Sequence, residues 1–152
     1  MSVIVGIDPG LSGALAALDG DDLREVVDMP VVDKTVIPAL VADWLRLHSP
    51  DVVIVEQVAS MPRQGVSSTF RFGMAYGVVL GVTATIGYRV EHIRPHLWKK
   101  TMGLTADKNR SRRMACDRWP LHADLFARVK DDGRAEAALL AAWWTDWSRR
   151  PA

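Results

Sequence analysis

The sequence holds a single cysteine, Cys116, in 152 residues. One thiol can neither close an internal disulfide nor furnish a cysteine zinc site within one chain, so both of those scaffolds are excluded and a reducing compartment fits. Cys116 itself reads as a small side chain on a helix. Long apolar runs are also missing: the longest uncharged stretch, Phe72 to Tyr88, has 17 residues, short of the roughly 20 needed to span a bilayer. The N-terminal apolar run has no basic leader and is cut short by Asp8, so no signal peptide is read. These absences predict a cytoplasmic protein with no membrane segment. Charge of either sign is not in surplus, with 19 Lys and Arg against 18 Asp and Glu and a net charge of +1. The total therefore says nothing about nucleic acid, and the distribution has to be read instead. No histidine cluster exists, since His48, His92, His96 and His122 are scattered. Repeats, low-complexity segments and domain boundaries are lacking too. What remains is a chain 49% hydrophobic and 24% charged, read as one domain over residues 1–152 with a sizeable core.

The chain is organised around Gly6-Ile7-Asp8-Pro9-Gly10, which ends the β-branched run Val3-Ile4-Val5. Such a run reads as a strand buried on both faces, closed by Asp8 and turned by Pro9-Gly10. Asp8 is thus either a turn residue or a ligand, because a buried carboxylate is costly without a cation or several donors beside it. Ser12 to Leu18 and Arg24 to Met29 read as two further strands, joined by a hairpin turn at Asp19-Gly20-Asp21-Asp22, and Pro30 to Lys34 as a connection. Apolar residues from Ile37 to Leu47 recur at helical spacing up to His48-Ser49-Pro50. Val52 to Val55 is a second strand without polar alternation, ending at Glu56. A loop from Gln57 to Gly65 follows, then a long helix over about 66–86, a strand near Arg89 to Ile93, a basic segment whose second half is helical, and a closing helix over about 133–147. The order predicts a mixed five-stranded α/β sheet, three antiparallel strands followed by two parallel ones, flanked by helices.

In such a sheet the first and fourth strands can lie side by side, bringing Asp8 and Glu56 together. Asp132 and Glu136, at i and i+4, share a face of the last helix. Four converging acids repel one another, and a hard divalent cation, Mg²⁺ or Mn²⁺, relieves that through oxygen ligands. The competing reading of Asp131 and Asp132 is capping of the helix N-terminus. Capping does not account for Glu136, which sits on a helix otherwise lined with Ala and Leu. Between the two aspartates, a turn of about 100° per residue puts Asp132 on the Glu136 face and Asp131 off it. Asp131 is then expected to cap or face solvent, at a cost of at most about 1 kcal/mol when removed.

Gly6-Ile7-Asp8-Pro9-Gly10, then Val55-Glu56-Gln57, then Asp132-Gly133-Arg134-Ala135-Glu136-Ala137-Ala138-Leu139 resemble, in that order and spacing, the RuvC-type Holliday junction resolvases of the ribonuclease H-like fold, most of all the shorter phage-type members. The Met61 to Ser68 loop and the Arg94-Pro95 and Trp98-Lys99 segment resemble those members as well. The resemblance implies a homodimeric, metal-dependent endonuclease that cuts four-way DNA junctions by paired nicks. It implies Asp8, Glu56, Asp132 and Glu136 as metal-binding acids and Lys99 as a lysine beside them. Two departures stand out. The last acidic pair is Asp132 and Glu136, four apart, where many resolvases have two aspartates three apart. Some members also carry an aromatic wedge just after the second acid, where this chain has Ala59 and Met61.

Carboxylates suit the chemistry without appeal to the family, because two Mg²⁺ or Mn²⁺ ions roughly 4 Å apart serve both ends of an in-line phosphodiester displacement. A DNA track is read in the basic segment, where Arg94, Lys99, Lys100, Lys108, Arg110, Arg112 and Arg113 face only one acid, Asp107. Beside an acidic site such a run supplies the positive charge that a polyanion needs, although it can equally be a solvated helix face. His96, inside the same segment, is a further candidate phosphate contact. Arg63, Ser67 and Ser68 would add an anion site at the start of the long helix, or the serines cap it. Gly73, Gly77 and Gly81 form a ridge every four residues, expected either in a dimer interface or against the sheet. Rival functions are a ribonuclease H acting on RNA–DNA hybrids, a kinase or actin-like ATPase, which would need two such domains, and a junction-binding protein without catalysis.

Overall fold

A computed structural model describes residues 2–151. Its main sheet has five strands, β1 (Val3–Asp8), β2 (Ala14–Asp19), β3 (Asp22–Asp28), β6 (Val52–Glu56) and β7 (Val90–Ile93), in the order β3-β2-β1-β6-β7. β1 pairs antiparallel with β2, β2 antiparallel with β3, β1 parallel with β6 and β6 parallel with β7. The predicted mixed sheet, three antiparallel strands followed by two parallel ones, is what forms.

β1 is central because its residues are apolar on both faces. Ile4 joins one core with Ala14, Ala16, Leu18 and Ile54, while Val5 and Ile7 join another with Leu15, Ala17, Val53 and Val55. The first core is closed by α5 (Asp132–Ser148), α4 (Lys108–Arg118) and α3 (Pro95–Thr101), the second by α1 (Pro38–His48) and α2 (Val66–Ile86). α5 lies closest. A Cβ at Gly6 would stand 2.1 Å from the Ala137 carbonyl oxygen, so only glycine lets helix backbone rest on strand backbone here. Leu139 and Leu140 are buried beside that contact, each contributing about 1.5–3 kcal/mol relative to exposure.

Local differences from the expected elements have physical causes. β2 starts at Ala14 rather than Ser12 because Gly10 to Gly13 is a turn, closed by the Gly13 N–H donating to the Gly10 carbonyl at 3.0 Å. The connection after Met29 contains a small ribbon, β4 (Val31–Val32) and β5 (Thr35–Val36). Asp33 and Lys34 turn it with left-handed φ of 49° and 59°, a pair of values that marks a type I′ hairpin. The basic segment contains α3 before α4, two helices where one was expected. α2 buries Ala75, Val79 and Thr83, which lie about 160° around the axis from the glycine ridge. That ridge does not pack on the sheet: a Cβ at Gly73, Gly77 or Gly81 would meet nothing within 4 Å. By length and composition α2 is also the one helix among the described residues that could cross a membrane, which the count of uncharged residues alone did not anticipate. Here its inner face lies on the sheet and α1.

Candidate active site

The register Ile7↔Val55 of the parallel pair puts Asp8 and Glu56 in the next rank, side by side at the C-terminal ends of two central strands. The turn after β1 then folds back over Asp8. A Cβ at Gly13 would be 1.9 Å from the Asp8 carbonyl, and one at Gly133 would be 2.5 Å from the Ser12 carbonyl. These two glycines let the first turn of α5 seat directly on the Asp8 loop. Asp132 therefore arrives at the same end of the sheet, and Glu136 follows one helical turn later. α5 begins at Asp132, so the face relating Asp132 to Glu136 exists as read.

Two lysines and a tryptophan accompany the acids. Pro95 starts α3, whose Trp98 is fully buried and donates its indole N–H to Glu56 Oε2 at 2.9 Å. Lys99, the next residue, reaches Glu136 Oε1 at 2.9 Å. Lys108 at the start of α4 reaches Asp132 Oδ2 at 2.6 Å. Burial, then the charges of Glu56 and Glu136, push the Asp8 carboxyl up to about 8. Burial likewise raises Glu56, against the opposing pull of Lys99. The hydrogen bond to Asp132 raises Lys108. Burial first, and the neighbouring acids second, thus outweigh the pull of both ammonium groups at Asp8.

Among the described residues no three Asp, Glu, His or Cys side chains close on a common point at ligating distance. Lys99, Lys108 and Trp98 each engage one of the acids instead. The donor set nevertheless fits Mg²⁺ or Mn²⁺, since it is all carboxylate oxygen and carries charge that the lysines leave uncompensated. A divalent ion would compete with the two ammonium contacts for Asp132 and Glu136.

Asp131 is placed elsewhere. It is 1% exposed, accepts from the Arg128 backbone N–H at 2.9 Å and from the Arg128 guanidinium at 2.8 Å. Arg134, paired with Asp28 at 2.7 Å, lies 4.0 Å from it. Burial opposes its ionisation, but the Arg128 hydrogen bonds prevail and hold its carboxyl below the usual range. The expected cap or solvent-facing aspartate is in fact a buried brace for the turn before α5, with no side-chain bond to that helix's N-terminus.

A cavity of about 760 Å³ opens from Asp8, Asp132 and Lys108 toward the start of α2, where Ser67, Ser68 and Arg71 line it. Neither serine is the cap: Gly65 holds that position without a side-chain bond. A second cavity of about 560 Å³ adjoins Glu56 and includes Arg94 and His96. Arg63 is exposed on the intervening loop. Lys100 is exposed on α3, and Arg110 and Arg113 are exposed on α4, where they border a cleft shared with Asp107 and Asp117. Arg112 departs from the basic track, because its guanidinium turns inward to the Ala127 carbonyl at 2.7 Å and Asn109 Oδ1 at 2.7 Å. The sequence reading passed over Trp98 as a partner of Glu56, and Arg71 and Phe72 as cavity walls. Arg71 lies one helical turn beyond Ser67, a spacing that could have flagged it.

No family model matches the chain. It is 34% identical over 120 residues to a crossover junction endodeoxyribonuclease RuvC of Mycobacterium ulcerans, covering 69% of this chain and 64% of that protein. The same values hold for the RuvC of Mycobacterium marinum. A RuvC of Nitratidesulfovibrio vulgaris is 30% identical over 110 residues, covering 65% of each. The chain therefore spans a little under two thirds of the length of these curated relatives. Among solved structures it resembles Thermus thermophilus RuvC in complex with a Holliday junction substrate, with TM-score 0.69, 23% identity and coverage of 97% of this chain and 96% of that one. The fowlpox virus Holliday junction resolvase matches with TM-score 0.57 and 20% identity over 96% of this chain and 99% of that chain.

Proposed function

We propose that the chain is a RuvC-type resolvase, a metal-dependent endonuclease that resolves four-way DNA junctions, on the strength of its similarity in sequence to those enzymes and of its fold. The observation that carries this reading is the meeting of Asp8, Glu56, Asp132 and Glu136 from β1, β6 and α5 at one end of the sheet, with Lys99 and Lys108 among them.

In this mechanism Asp8, Glu56, Asp132 and Glu136 would hold two Mg²⁺ or Mn²⁺ ions, which would supply charge stabilisation for an in-line displacement on phosphorus. Asp8 would release to solvent the proton that burial and its acidic neighbours hold on it. Trp98 keeps the Glu56 carboxylate oriented through its indole N–H. Lys99 and Lys108, released from Glu136 and Asp132, offer their ammonium groups to the scissile phosphate. Arg63, Ser67, Ser68, Arg94, Lys100, Arg110 and Arg113 contact flanking phosphates, with Arg71 added to them from the cavity wall.

We further propose a homodimer through α2. Its outer face carries the bare ridge of Gly73, Gly77 and Gly81, flanked by exposed Val66, Phe70 and Met74. A two-fold dimer on that face sets two sites for paired nicks across a pseudo-symmetric junction.

Cleavage of end-labelled four-way junctions, flaps, RNA–DNA hybrids and duplexes with Mg²⁺ tests the reading. Paired symmetric nicks in the four-way junction are the expected result. Selective cutting of hybrids would replace it with a ribonuclease H activity, and junction binding without cutting in Mg²⁺ or Mn²⁺ would replace it with a non-catalytic role.

A further inference from the structure

Arg134 stands between Asp132 and Glu136 in the first turns of α5, but on the other side of the helix. At about 100° per residue it lies about 160° around the axis from each acid. Its guanidinium leaves α5 for the end of β3, where Nε donates to Asp28 Oδ1 at 2.7 Å and Nη2 to Asp28 Oδ2 at 3.0 Å. This two-pronged pair is sheltered at its arginine end, with the Arg134 side chain 18% exposed and that of Asp28 62%. Nη1 also reaches the Leu125 carbonyl at 3.4 Å.

The place that Arg134 grips is set by the register of the sheet. Asp28 is paired with Ala14, and Ala14 with Asp8, so Asp28 and Asp8 stand in one rank across three strands. The Met29 N–H donates to the Gly13 carbonyl at 2.9 Å, which ties the end of β3 to the Asp8 loop as well. Beside Arg134, the Gly133 seat on the Ser12 carbonyl fixes where α5 begins. A bare backbone contact interlocks no side chains, however, and so leaves the helix free to roll about its axis. Lys108 and Lys99 hold Asp132 and Glu136 directly, but a bound cation competes for those contacts. The Asp28 contact lies on the far side of the helix and persists.

We propose that Arg134 and Asp28 are a positioning pair, which sets the roll of the first turn of α5 so that Asp132 and Glu136 face Asp8 and Glu56. The inference rests on reading the chain as a metal-dependent nuclease. A roll of about 10° at the helix surface, about 6 Å from the axis, moves a carboxylate by about 1 Å. A misplacement of about 1 Å is enough to cost roughly a hundredfold in rate. The arginine fork suits the task because two parallel bonds fix an orientation, whereas a lysine ammonium fixes only a point. α5 carries a second fork of the same kind at its other end, where Arg118 donates to Asp146 at 3.0 and 3.1 Å. That pair lies far from the acids and separates anchoring of the helix from aiming of its first turn.

The test compares Arg134→Lys and Asp28→Asn with Arg118→Lys in the full chain. Mn²⁺ affinity is measured by calorimetry without DNA, beside single-turnover cutting of a four-way junction, junction affinity in EDTA and the thermal midpoint. Arg134→Lys and Asp28→Asn should each weaken Mn²⁺ binding and slow cutting by about tenfold or more, as loss of a group that orients ligands does. Junction affinity and the midpoint should change no more than in Arg118→Lys, which keeps Mn²⁺ affinity and cutting rate within about twofold of the wild type because it loses only an exposed pair. Combining Arg134→Lys with Asp28→Asn should slow cutting no further than either alone, since both break one contact. Full Mn²⁺ affinity and rate in Asp28→Asn, whose exposed side chain makes misfolding no explanation, would overturn the proposal. Equal losses in Arg118→Lys, or additive losses in the double variant, overturn it too. A wild type that binds Mn²⁺ without cutting, and loses that affinity in Arg134→Lys but not in Arg118→Lys, would sink the nuclease reading and spare the pair. A wild type that neither binds Mn²⁺ nor cuts overturns both.

Discussion

The Lys108 ammonium stands 2.6 Å from the Asp132 carboxylate, with the lysine side chain 70% and the aspartate 18% exposed. Such a contact is easily broken, because an ion pair with one solvated partner contributes about 0–1 kcal/mol. Lys108→Ala should therefore tighten Mn²⁺ binding by up to about fivefold, by removing a competitor for Asp132. Cleavage should slow at the same time, since a phosphate contact is lost. Calorimetric titration with Mn²⁺, beside single-turnover cleavage, checks both directions. A variant that binds metal more weakly contradicts the competition.

Asp8 carries the strongest pH signature. Burial and its acidic neighbours push its carboxyl from the ordinary 3.8 up to about 8, so the folded protein holds a proton that the unfolded chain releases. The sign follows: this group costs stability progressively as pH rises from about 4 to about 8, and the cost is absent below that range. Asp8→Asn should raise the thermal midpoint of the metal-free protein at pH 8 more than at pH 5, and abolish cleavage. Metal affinity of the wild type should also fall as pH drops below about 8, because the cation must displace that proton. Equal shifts of the midpoint at both pH values would contradict the assignment.

Asp131 and Asp132 should separate cleanly. Asp132→Asn is expected to lose cleavage by orders of magnitude while junction affinity and stability hold. Asp131→Asn should keep cleavage but destabilise by about 1–3 kcal/mol, since it weakens a buried, charge-assisted bond to Arg128. Because the Asp131 carboxyl lies below its ordinary range, its contribution is present at neutral pH and is lost as pH falls through the acid range. Denaturant melts at pH 7 and pH 3 should thus differ more for the wild type than for the variant.

These two residues illustrate where the sequence was legible. The β-branched run ending in Asp8, and Val52 to Val55 ending in Glu56, announce strands through composition alone, and their parallel pairing follows from the order of elements. The 3.6-residue period tells Asp132 from Asp131 because both sit at a helix start. What Asp131 does instead depends on Arg128 and on the short turn between them, and no periodicity encodes such a turn. The same holds for Trp98 with Glu56, 42 residues apart, and for Arg112, which besides Asn109 Oδ1 engages the backbone carbonyls of Phe126 and Ala127. The ribbon at Asp33 and Lys34 escaped notice because its left-handed turn uses neither glycine nor asparagine. Local patterns located the acids, whereas long-range hydrogen bonds decided which basic groups serve them.

The glycine ridge of α2 yields a prediction with two signs. Gly77→Leu meets only open space in the protomer, so the folded chain should gain up to about 1 kcal/mol from better helix propensity. A partner helix resting on the ridge would be pushed away by the same side chain. Sedimentation should show wild-type dimers and Gly77→Leu monomers at micromolar concentration, with paired nicking reduced to single nicks. A dimer that survives the substitution would place the interface elsewhere.

The seating of α5 on β1 at Gly6 and Ala137 has a consequence for synthesis. Asp8 and Glu56 leave the ribosome early, but Asp132 and Glu136 arrive only with α5, and that helix also covers the face of the sheet built from Ile4, Ala16 and Ile54. A nascent chain translated as far as α4 therefore has an open sheet face and half of its acids. Closure of the core and the gathering of the four carboxylates are acquired in the same step, so on the proposed nuclease reading a chain still lacking α5 would carry no cutting site.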